Sequence, residues 1–173
     1  MSGIVIVGLN HRTAPVEIRE RIAFPTDNIG HALRGLVERE GIAEGVILST
    51  CNRVEVCVLA GEPYKGTAAV KEFIASYHAI PLHELNGHLY HYEGVEAIKH
   101  LFRVSSSLDS MVLGEPQILG QVKDAYGYAA EFRAIGPILD RFFSKSFSVA
   151  KRVRTETRVA SSAVSVSYAA VEL

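Results

Sequence analysis

The sequence predicts an α+β fold: a ferredoxin-like split βαβ sandwich, with the element order βαββαβ, followed by a helical subdomain. Up to position 93, short strand-like segments alternate with segments of helical spacing in that order. After Gly94, every apolar stripe has helical spacing. We therefore expect an α+β sandwich over residues 1–93, a helical part of the same domain over 94–158, and the start of a connection to a further domain over 159–173.

Four strands are predicted, three of them from runs of valine, isoleucine and leucine, which pack well on a pleated sheet. The predicted strands cover residues 4–9, 46–49, 54–59 and 88–92. In the third strand, Val54, Val56 and Val58 alternate with other residues and therefore lie on one face. The polar segment NHRTAPVEIRE, which follows the first strand, is predicted to be a loop.

The two helices of the sandwich are predicted from apolar residues that recur every three or four positions. In the first helix, Thr26 is the expected N-cap, and Gly41 and Gly45 are expected to end the helix. Its apolar face would consist of Ile29, Leu33, Leu36 and Val37. The second helix is expected to begin at Gly66.

Three further helices are predicted after Gly94. The first would bury Ile98, Leu101, Phe102, Ser105 and Leu108. Pro116 suits the first turn of the second helix, and Gly136-Pro137 separates it from a long amphipathic third helix. The final residues, SSAVSVSYAAVEL, contain neither a helix-ending glycine nor a polar tail, so we expect the chain to stop in the middle of an element.

The composition is that of a globular protein, with 48% hydrophobic and 21% charged residues among 173. The formal net charge of −1 excludes a uniformly basic nucleic-acid-binding protein. A local basic run remains, formed by Lys145, Lys151, Arg152, Arg154 and Arg158. This run could bind a polyanion such as RNA, or it could be the solvated face of a long helix, and the sequence does not separate these alternatives.

The sequence predicts a cytoplasmic protein without a membrane partner. Its start, MSGIVIVGLNHRT, lacks the regions of a secretory signal, and no apolar run approaches the roughly 18 residues of a membrane helix. The two cysteines lie six positions apart and do not form a disulfide framework, so we expect reduced thiols.

Cys51 is a candidate nucleophile because it lies in the polar segment TCNR between two predicted strands. A thiolate is the reactive form of cysteine, and a neighbouring guanidinium, here that of Arg53, increases the thiolate fraction. The alternative is a half-buried structural cysteine, which the spacing alone favours. Cys57, inside the third strand, is expected to be a packing residue.

Histidines provide further candidates. His100 lies two positions after Ile98, about 200° around the helix, so we expect it to face away from the apolar stripe. There it could act as a general acid or base, or it could be solvated, which the spacing alone favours. The other candidates, His78, His83, His88 and His91, match no metal-binding spacing, so we expect no metal site.

The segment SLDSMVLGEPQILGQVKDAY places polar residues at the start of the helix opened by Pro116. Gln117 and Gln121 are four positions apart and share a face, and the free N–H groups of the helix start favour a carboxylate or phosphate. Glu115 could accept hydrogen bonds from an ammonium group. The alternative is helix capping beside a solvated face, which the pattern alone favours.

Four blocks of the sequence resemble the glutamyl-tRNA reductases: GLNHRTAPVEIRE, LSTCNRVE, SSLDSMVLGEPQILGQVKDAY and AKRVRTET. The blocks occur in the same order and extend over nearly the whole chain. The resemblance is to the N-terminal catalytic domain, which in the family precedes an NADPH-binding domain and a helical dimerisation domain. It therefore implies NADPH as cofactor, bound by a domain outside this sequence. No dinucleotide fingerprint occurs within the chain.

The resemblance implies a place in the first step of the C5 route to tetrapyrroles. In this step, glutamyl-tRNA(Glu) is reduced with NADPH to glutamate-1-semialdehyde through a cysteine thioester. The implied partners are glutamyl-tRNA(Glu), a second copy of the full-length protein in a homodimer, and the aminomutase that consumes the semialdehyde. Without the NADPH-binding domain, we expect the chain to be limited to forming or hydrolysing the thioester.

The resemblance also implies roles for individual residues. Cys51 matches the nucleophile, and His100 matches a histidine that donates a proton or positions the substrate. The matching substrate-binding residues are Thr50, Asn52, Arg53, Ser110, Glu115, Pro116, Gln117 and Gln121. Within this set, Arg53 would bind the side-chain carboxylate of the glutamyl group, and Glu115 or a glutamine would bind its α-ammonium group.

Two other functions stay open at this point. The ferredoxin-like order also occurs in RNA-recognition domains, so the chain could be a non-catalytic RNA-binding module. Those domains stack bases on aromatic side chains of the sheet, whereas the central strands here contain mainly valine, isoleucine and leucine, which argues against this alternative. The other alternative is an interaction domain whose cysteines are inert.

Overall fold

The computed structural model describes residues 2–159. Its four strands are β1 (Gly3–Asn10), β2 (Ile42–Ser49), β3 (Arg53–Ala60) and β4 (Tyr90–Glu93). They form one antiparallel sheet in the order β2-β3-β1-β4. The predicted α+β fold, with the element order of a ferredoxin-like sandwich, is thus confirmed.

Seven α-helices accompany the sheet within the described residues. They are α1 (Val16–Arg21), α2 (Ile29–Val37), α3 (Pro63–Tyr77), α4 (Leu82–Asn86), α5 (Gly94–Ser105), α6 (Gln117–Glu131) and α7 (Pro137–Glu156). The later helices pack on the sheet, since α5 contacts β1 and β4, and α6 contacts β2. The domain boundary at 93/94 stays a prediction, and the predicted connection over 159–173 lies outside the described residues from 160 onward.

Both faces of the sheet are covered by helices. α2 and α3 pack on the face formed by Val54, Val56 and Val58. α5 packs on the opposite face, which contains Glu55 and Cys57. As a result β1 and β3 are buried almost throughout, which explains the unbroken apolar run of β1. Neither of these two central strands offers the exposed aromatic side chains on which RNA-recognition domains stack bases.

The prediction of a loop after β1 is wrong for the second half of the segment, because Val16–Arg21 forms α1. Pro15 precedes this helix with a fixed φ of −66°, and the fully buried Ile22 anchors its end. None of the residues of α1 itself is buried. A helix without a buried face leaves no apolar periodicity in the sequence, which is why the pattern does not indicate it.

Other predicted bounds differ from the structure for local reasons. Thr26 lies in a short 3₁₀ turn ahead of α2, and no side-chain hydrogen bond caps this start. Gly45 does not end α2 but lies in β2, where a Cβ atom would come within 2.6 Å of Leu36 Cδ2. Leu108 lies beyond the end of α5, and His88 lies between α4 and β4.

Glu44, in β2, connects the sheet to the start of α7. Its carboxylate is buried and accepts hydrogen bonds from the backbone N–H groups of Ile138 and Leu139, at 3.2 and 2.7 Å. These N–H groups lie in the first turn of α7 and have no partner within the helix. The negative charge of Glu44 also interacts favourably with the positive end of the helix dipole.

We expect the Glu44→Ala substitution to lower the free energy of unfolding by about 1–2 kcal/mol, because it removes a buried carboxylate that caps the start of α7. Urea denaturation measures the difference. Glu40→Ala, at an exposed position nearby, is the control and should change the free energy of unfolding by less than about 0.5 kcal/mol. Equal stabilities of the two variants would contradict this role of Glu44.

Candidate active site

Cys51 lies in the turn that joins β2 to β3, and its side chain is exposed. The Thr50 hydroxyl oxygen accepts hydrogen bonds from the backbone N–H groups of Asn52 and Arg53, at 3.2 and 3.1 Å. The Asn52 carbonyl oxygen accepts another from the His11 N–H, at 2.9 Å. The turn is therefore fixed both internally and to the end of β1, and it presents the thiol at the surface.

Cys51 lines a pocket of about 390 Å³. The structure brings seven of the predicted substrate-binding residues to this pocket: Thr50, Asn52, Arg53, Ser110, Glu115, Gln117 and Gln121. The lining is completed by Arg19, Met111 and Ile118. Two predicted residues are not part of the lining, since Pro116 immediately precedes α6 and His100 lies within α5.

Four segments of the chain converge on this pocket. They are α1, the β2–β3 turn, the loop between α5 and α6, and the first two turns of α6, where Gln117 and Gln121 share a face as predicted. The loop is held by the Ser107 hydroxyl, which donates to the Glu115 carbonyl oxygen at 2.6 Å. The Gly114 N–H in turn donates to the Ser107 carbonyl oxygen at 3.0 Å. These bonds fix the entry into α6.

Arg53 begins β3 and is almost fully buried, with 2% of its surface exposed. Its Nη1 donates to Glu55 Oε1 at 2.8 Å, and its Nη2 donates to the carbonyl oxygen and to Oδ2 of Asp109, at 2.5 and 3.2 Å. Asp109 also accepts a hydrogen bond from Arg12 at 3.2 Å. Arg53 thus fastens β3 to the α5–α6 loop. Two carboxylates balance its charge, and these bonds leave some of the five guanidinium N–H donors for a ligand.

Glu55 is the centre of a buried hydrogen-bond network. Its Oε1 accepts hydrogen bonds from Arg53, from the Tyr90 hydroxyl at 2.5 Å and from His100 Nε2 at 2.8 Å. Burial by itself would raise the pKa of Glu55, but the charges of His100 and Arg53, with the hydrogen bonds, lower the pKa to about 2. The sequence signal for this residue is a carboxylate within an apolar strand, a placement that requires a partner.

A glycine in β1 leaves space for the Glu55 side chain. Gly8 lies opposite Glu55 in the register of β1 and β3. A Cβ atom at Gly8 would lie 2.7 Å from Glu55 Cγ and 2.4 Å from the Val54 carbonyl oxygen. The position therefore accommodates no side chain unless Glu55 or the strand moves.

The prediction that His100 faces away from the apolar side of its helix is wrong. Its side chain is buried, its Nε2–H donates to Glu55, and its ring stacks on Tyr92 with the ring centroids 4.5 Å apart. The buried residues of α5 are Ala97, His100, Leu101, Val104 and Ser105. The first four recur at i, i+3, i+4 and i+7, so α5 is rotated from the stripe predicted around Ile98. The hydrogen bonds of Glu55 with His100 and with Arg53 connect His100 to the pocket.

The two cysteines lie in opposite environments. Cys51 is exposed, whereas Cys57 is buried within β3, as its position in the strand predicts. Burial, with the charges of Glu55 and Glu44, raises the pKa of Cys57 well above the ordinary value of a thiol. Cys57 is thus held as a neutral thiol away from solvent, and Cys51 is the candidate nucleophile.

We expect iodoacetamide to modify Cys51 and to leave Cys57 unmodified in the folded chain near neutral pH, because the reagent reaches only the exposed thiol and Cys57 stays protonated. Peptide mass spectrometry after brief treatment measures the two residues separately. Both cysteines should react in urea, which controls for the reagent. Similar rates for the two residues in the folded chain would contradict this assignment.

Other predicted features lie outside the pocket. Within the basic run, Lys145, Lys151 and Arg152 are exposed on α7, and Arg152 pairs with Glu156 at 3.0 Å. Among residues 2–159, no group of three or more histidine, cysteine, aspartate or glutamate side chains is arranged to hold a metal ion.

Over the same range, none of the helices combines the length and apolar character needed to cross a membrane.

Comparisons with known proteins identify one family. The profile of the family "Glutamyl-tRNAGlu reductase, N-terminal domain" matches residues 7–157. A glutamyl-tRNA reductase from Pelobacter propionicus is 62% identical over 170 residues, and one from Geobacter sulfurreducens is 61% identical over 170 residues. Each of these alignments covers 98% of this chain and 39% of the relative. The chain therefore spans well under half the length of these relatives.

A solved structure has the same fold. Glutamyl-tRNA reductase from Methanopyrus kandleri superposes with a TM-score of 0.79 at 37% sequence identity. The superposition covers 98% of this chain and 38% of that chain. The similarity therefore extends over nearly all of the sequence and over both the sandwich and the helical part.

Proposed function

The chain belongs to the glutamyl-tRNA reductase N-terminal domain family, and we propose that its pocket binds the glutamyl end of glutamyl-tRNA(Glu), where Cys51 accepts the glutamyl group as a thioester. The observation that supports this proposal most directly is the exposed thiol in the lining of a pocket rich in charged and amide side chains. A thiol in a surface turn is accessible to the end of a large RNA, which could not enter the core.

The proposed step is a transfer of the glutamyl group from oxygen to sulfur. The Cys51 thiolate attacks the carbonyl carbon of the ester that links glutamate to the terminal ribose. The C–S bond forms, the C–O bond to the ribose breaks, and the ribose oxygen takes up a proton. The products are a glutamyl thioester on Cys51 and a tRNA with a free terminal ribose. Covalent catalysis of this kind divides one difficult reaction into two easier ones.

Recognition of the glutamyl group is assigned to the polar residues of the pocket. Arg53 would donate to the side-chain carboxylate through the N–H groups that Glu55 and Asp109 leave free. Glu115, which is 9% exposed, would accept hydrogen bonds from the α-ammonium group. The other proposed substrate-binding residues are Thr50, Asn52, Ser110, Pro116, Gln117 and Gln121.

His100 has an indirect role in this proposal. It does not line the pocket, and its Nε2–H is bound to Glu55, which also holds Arg53. We therefore propose that His100 positions Arg53 through Glu55. A direct proton transfer from His100 to the leaving ribose would require a movement of the ring out of this network.

Reduction of the thioester is a proposal for the full-length protein, because the chain spans only 39% of the relatives. There, NADPH would supply the hydride that gives glutamate-1-semialdehyde for tetrapyrrole biosynthesis in the cytoplasm. The pocket lining includes no glycine-rich loop for nucleotide phosphates, so we assign NADPH to the remainder of the longer protein. The homodimer and the aminomutase partner belong to the same proposal.

Glutamyl transfer to this chain tests the proposal. The chain is incubated with glutamyl-tRNA(Glu), quenched with acid and digested, and the Cys51 peptide is analysed by mass spectrometry. We expect a glutamyl adduct that hydroxylamine removes, which is the behaviour of a thioester. Glutaminyl-tRNA is the control substrate and should give less adduct. If Cys51 stays unmodified while glutamyl-tRNA remains intact, the proposal is wrong.

A further inference from the structure

The charged side chains around the pocket are not all paired with each other. Arg53 is paired with Glu55 and Asp109, and Arg12 is paired with Asp109. Both arginines therefore have carboxylate partners, and Glu55 also binds His100. Arg19 lines the same pocket but forms no ion pair with any residue in the range 2–159.

Arg19 combines burial with unused hydrogen-bonding capacity. Its Nε and Nη1 atoms are both buried and have no hydrogen-bond partner among the described residues. At these two nitrogens the partly buried guanidinium has lost its hydration without gaining a replacement, which is unfavourable. Arg21 on the same helix shows the usual arrangement, since it is exposed and paired with Glu84 at 3.3 Å. An unsatisfied buried donor at a pocket calls for an explanation, and a ligand that binds there provides one.

We propose that Arg19 forms an anion subsite of the Cys51 pocket and binds an oxyanion of the substrate. The inference rests on the proposed function, because the substrate class comes from there. The glutamyl end of the tRNA has two oxyanions near the ester: the side-chain carboxylate of the glutamyl group and the 5′-phosphate of the terminal adenosine. Both accept hydrogen bonds from a guanidinium.

Glu115 makes the carboxylate the expected occupant. It lines the same pocket and, within the described part of the chain, forms no ion pair. The pocket lining thus contains one cation and one anion that have no ionic partner among residues 2–159. A glutamyl group has one carboxylate and one ammonium, so binding to Arg19 and Glu115 would balance all four charges. Arg53, whose charge is already balanced, would then contribute hydrogen bonds rather than net charge.

The test compares Arg19→Gln with Arg21→Gln, a matched control on the same helix outside the pocket. Three small acyl donors are used with this chain: the glutamyl ester of adenosine, the glutaminyl ester of adenosine, and the glutamyl ester of adenosine 5′-phosphate. The second lacks the carboxylate of the first, and the third adds the phosphate. The rate of acyl transfer to Cys51 at low donor concentration is measured for each combination.

If Arg19 binds the carboxylate, Arg19→Gln should lower transfer from glutamyl-adenosine by about 10-fold or more, because a hydrogen-bonded charge pair is lost. Transfer from glutaminyl-adenosine should change by less than about 3-fold. If Arg19 binds the phosphate, the variant should instead lose any advantage of the phosphorylated ester over the unphosphorylated one. Arg21→Gln should behave as the unsubstituted chain. An equal effect of Arg19→Gln on all three donors, or no effect, would overturn the proposal.

Measurements of protein stability distinguish a ligand-binding role of Arg19 from a structural role. Removal of a partly buried cation without an ionic partner should leave the chain at least as stable as before, whereas removal of a structural ion pair would destabilise it. Thermal unfolding of Arg19→Gln should therefore occur at or above the temperature of the unsubstituted chain. A clearly lower unfolding temperature would assign Arg19 to the scaffold and overturn the proposal.

A second measurement keeps this inference separate from the proposed acyl transfer. Glutamate methyl ester should protect Cys51 from iodoacetamide better than glutamine methyl ester does, and this preference should disappear in Arg19→Gln. If no donor acylates Cys51 but the preference is observed, the anion subsite stands and the proposed thioester chemistry fails. If transfer occurs without any dependence on Arg19, the proposed function stands and the subsite fails.

Discussion

The Cys51→Ala variant is expected to form no glutamyl adduct, a loss of at least about 1,000-fold relative to the unsubstituted chain. The reason is that alanine has no atom able to accept the acyl group, and the other cysteine, Cys57, is buried and protonated. Acid-quenched mass spectrometry of the chain after incubation with glutamyl-tRNA measures the adduct. Release of tRNA from glutamyl-tRNA gives an independent readout of the same step.

The matched control for this variant is Cys57→Ala. It removes the only other thiol, from the interior of β3, and should retain the adduct on Cys51. Cys51→Ser adds a graded comparison, since a hydroxyl is a weaker nucleophile than a thiolate and should react much more slowly. Undiminished deacylation of glutamyl-tRNA by Cys51→Ala would show that the transfer does not pass through this residue.

The Glu55→Gln variant is expected to lower the free energy of unfolding by about 3 kcal/mol near neutral pH. Glutamine preserves the volume of the side chain but removes the charge that Arg53 and His100 face at 2.8 Å. Breaking a buried network in this way leaves a guanidinium with a weaker partner. Urea denaturation measures the loss, and Glu96→Gln, in an exposed pair with Lys99, should cost less than about 1 kcal/mol.

The pH dependence of this effect has a definite sign. The pKa of Glu55 is lowered from 4.5 to about 2 in the folded chain, so its stabilising effect is complete above the pKa of the unfolded chain and is lost as the pH falls toward 2. The difference in unfolding free energy between the unsubstituted chain and Glu55→Gln should therefore shrink by about 2 kcal/mol between pH 7 and pH 3. A difference that stays constant over this range would contradict the assigned pKa.

Glu55→Gln should also slow acyl transfer to Cys51, by about 10-fold or more, because Arg53 and His100 lose their common anchor. Neither Glu55 nor His100 lines the pocket, so this loss would arise from altered positions of other residues. Arg53→Lys provides a comparison at the pocket itself, since lysine retains the charge but cannot make the planar set of hydrogen bonds. Unchanged transfer by Glu55→Gln would show that this network serves stability alone.

The sheet could be predicted from the sequence because its central strands are buried on both faces. That burial produces the apolar runs at 4–9 and 54–59, which the structure extends by one or two residues. α1 could not be predicted in the same way, because none of its residues is buried. The burial of His100 could have been predicted, because it falls on the same helical face as Ala97, Leu101 and Val104. The neighbouring stripe around Ile98 contains larger apolar residues, and the prediction followed that stripe instead.

The pocket residues were predicted from sequence motifs rather than from hydrophobic periodicity. The segments around Cys51 and Glu115 are polar interruptions at the ends of predicted elements, and this made them candidates. The pairing of Arg53 with Asp109, which lie 56 positions apart, depends on how α5 returns the chain to β3 and has no local signature. Arg19 could not be predicted as a ligand-binding residue either, because its unsatisfied nitrogens can be identified only once its surroundings are known.

Gly8 shows that substitutions outside the ligand-binding pocket can also impair the activity of this domain. A methyl group at position 8 would overlap the Val54 carbonyl oxygen and Glu55 Cγ, so either the pairing of β1 with β3 or the carboxylate that holds Arg53 and His100 must shift. A saturation mutagenesis screen for inactive alleles would then recover position 8 alongside Cys51. Such alleles would combine a loss of stability with a displaced Arg53, although Gly8 does not line the pocket.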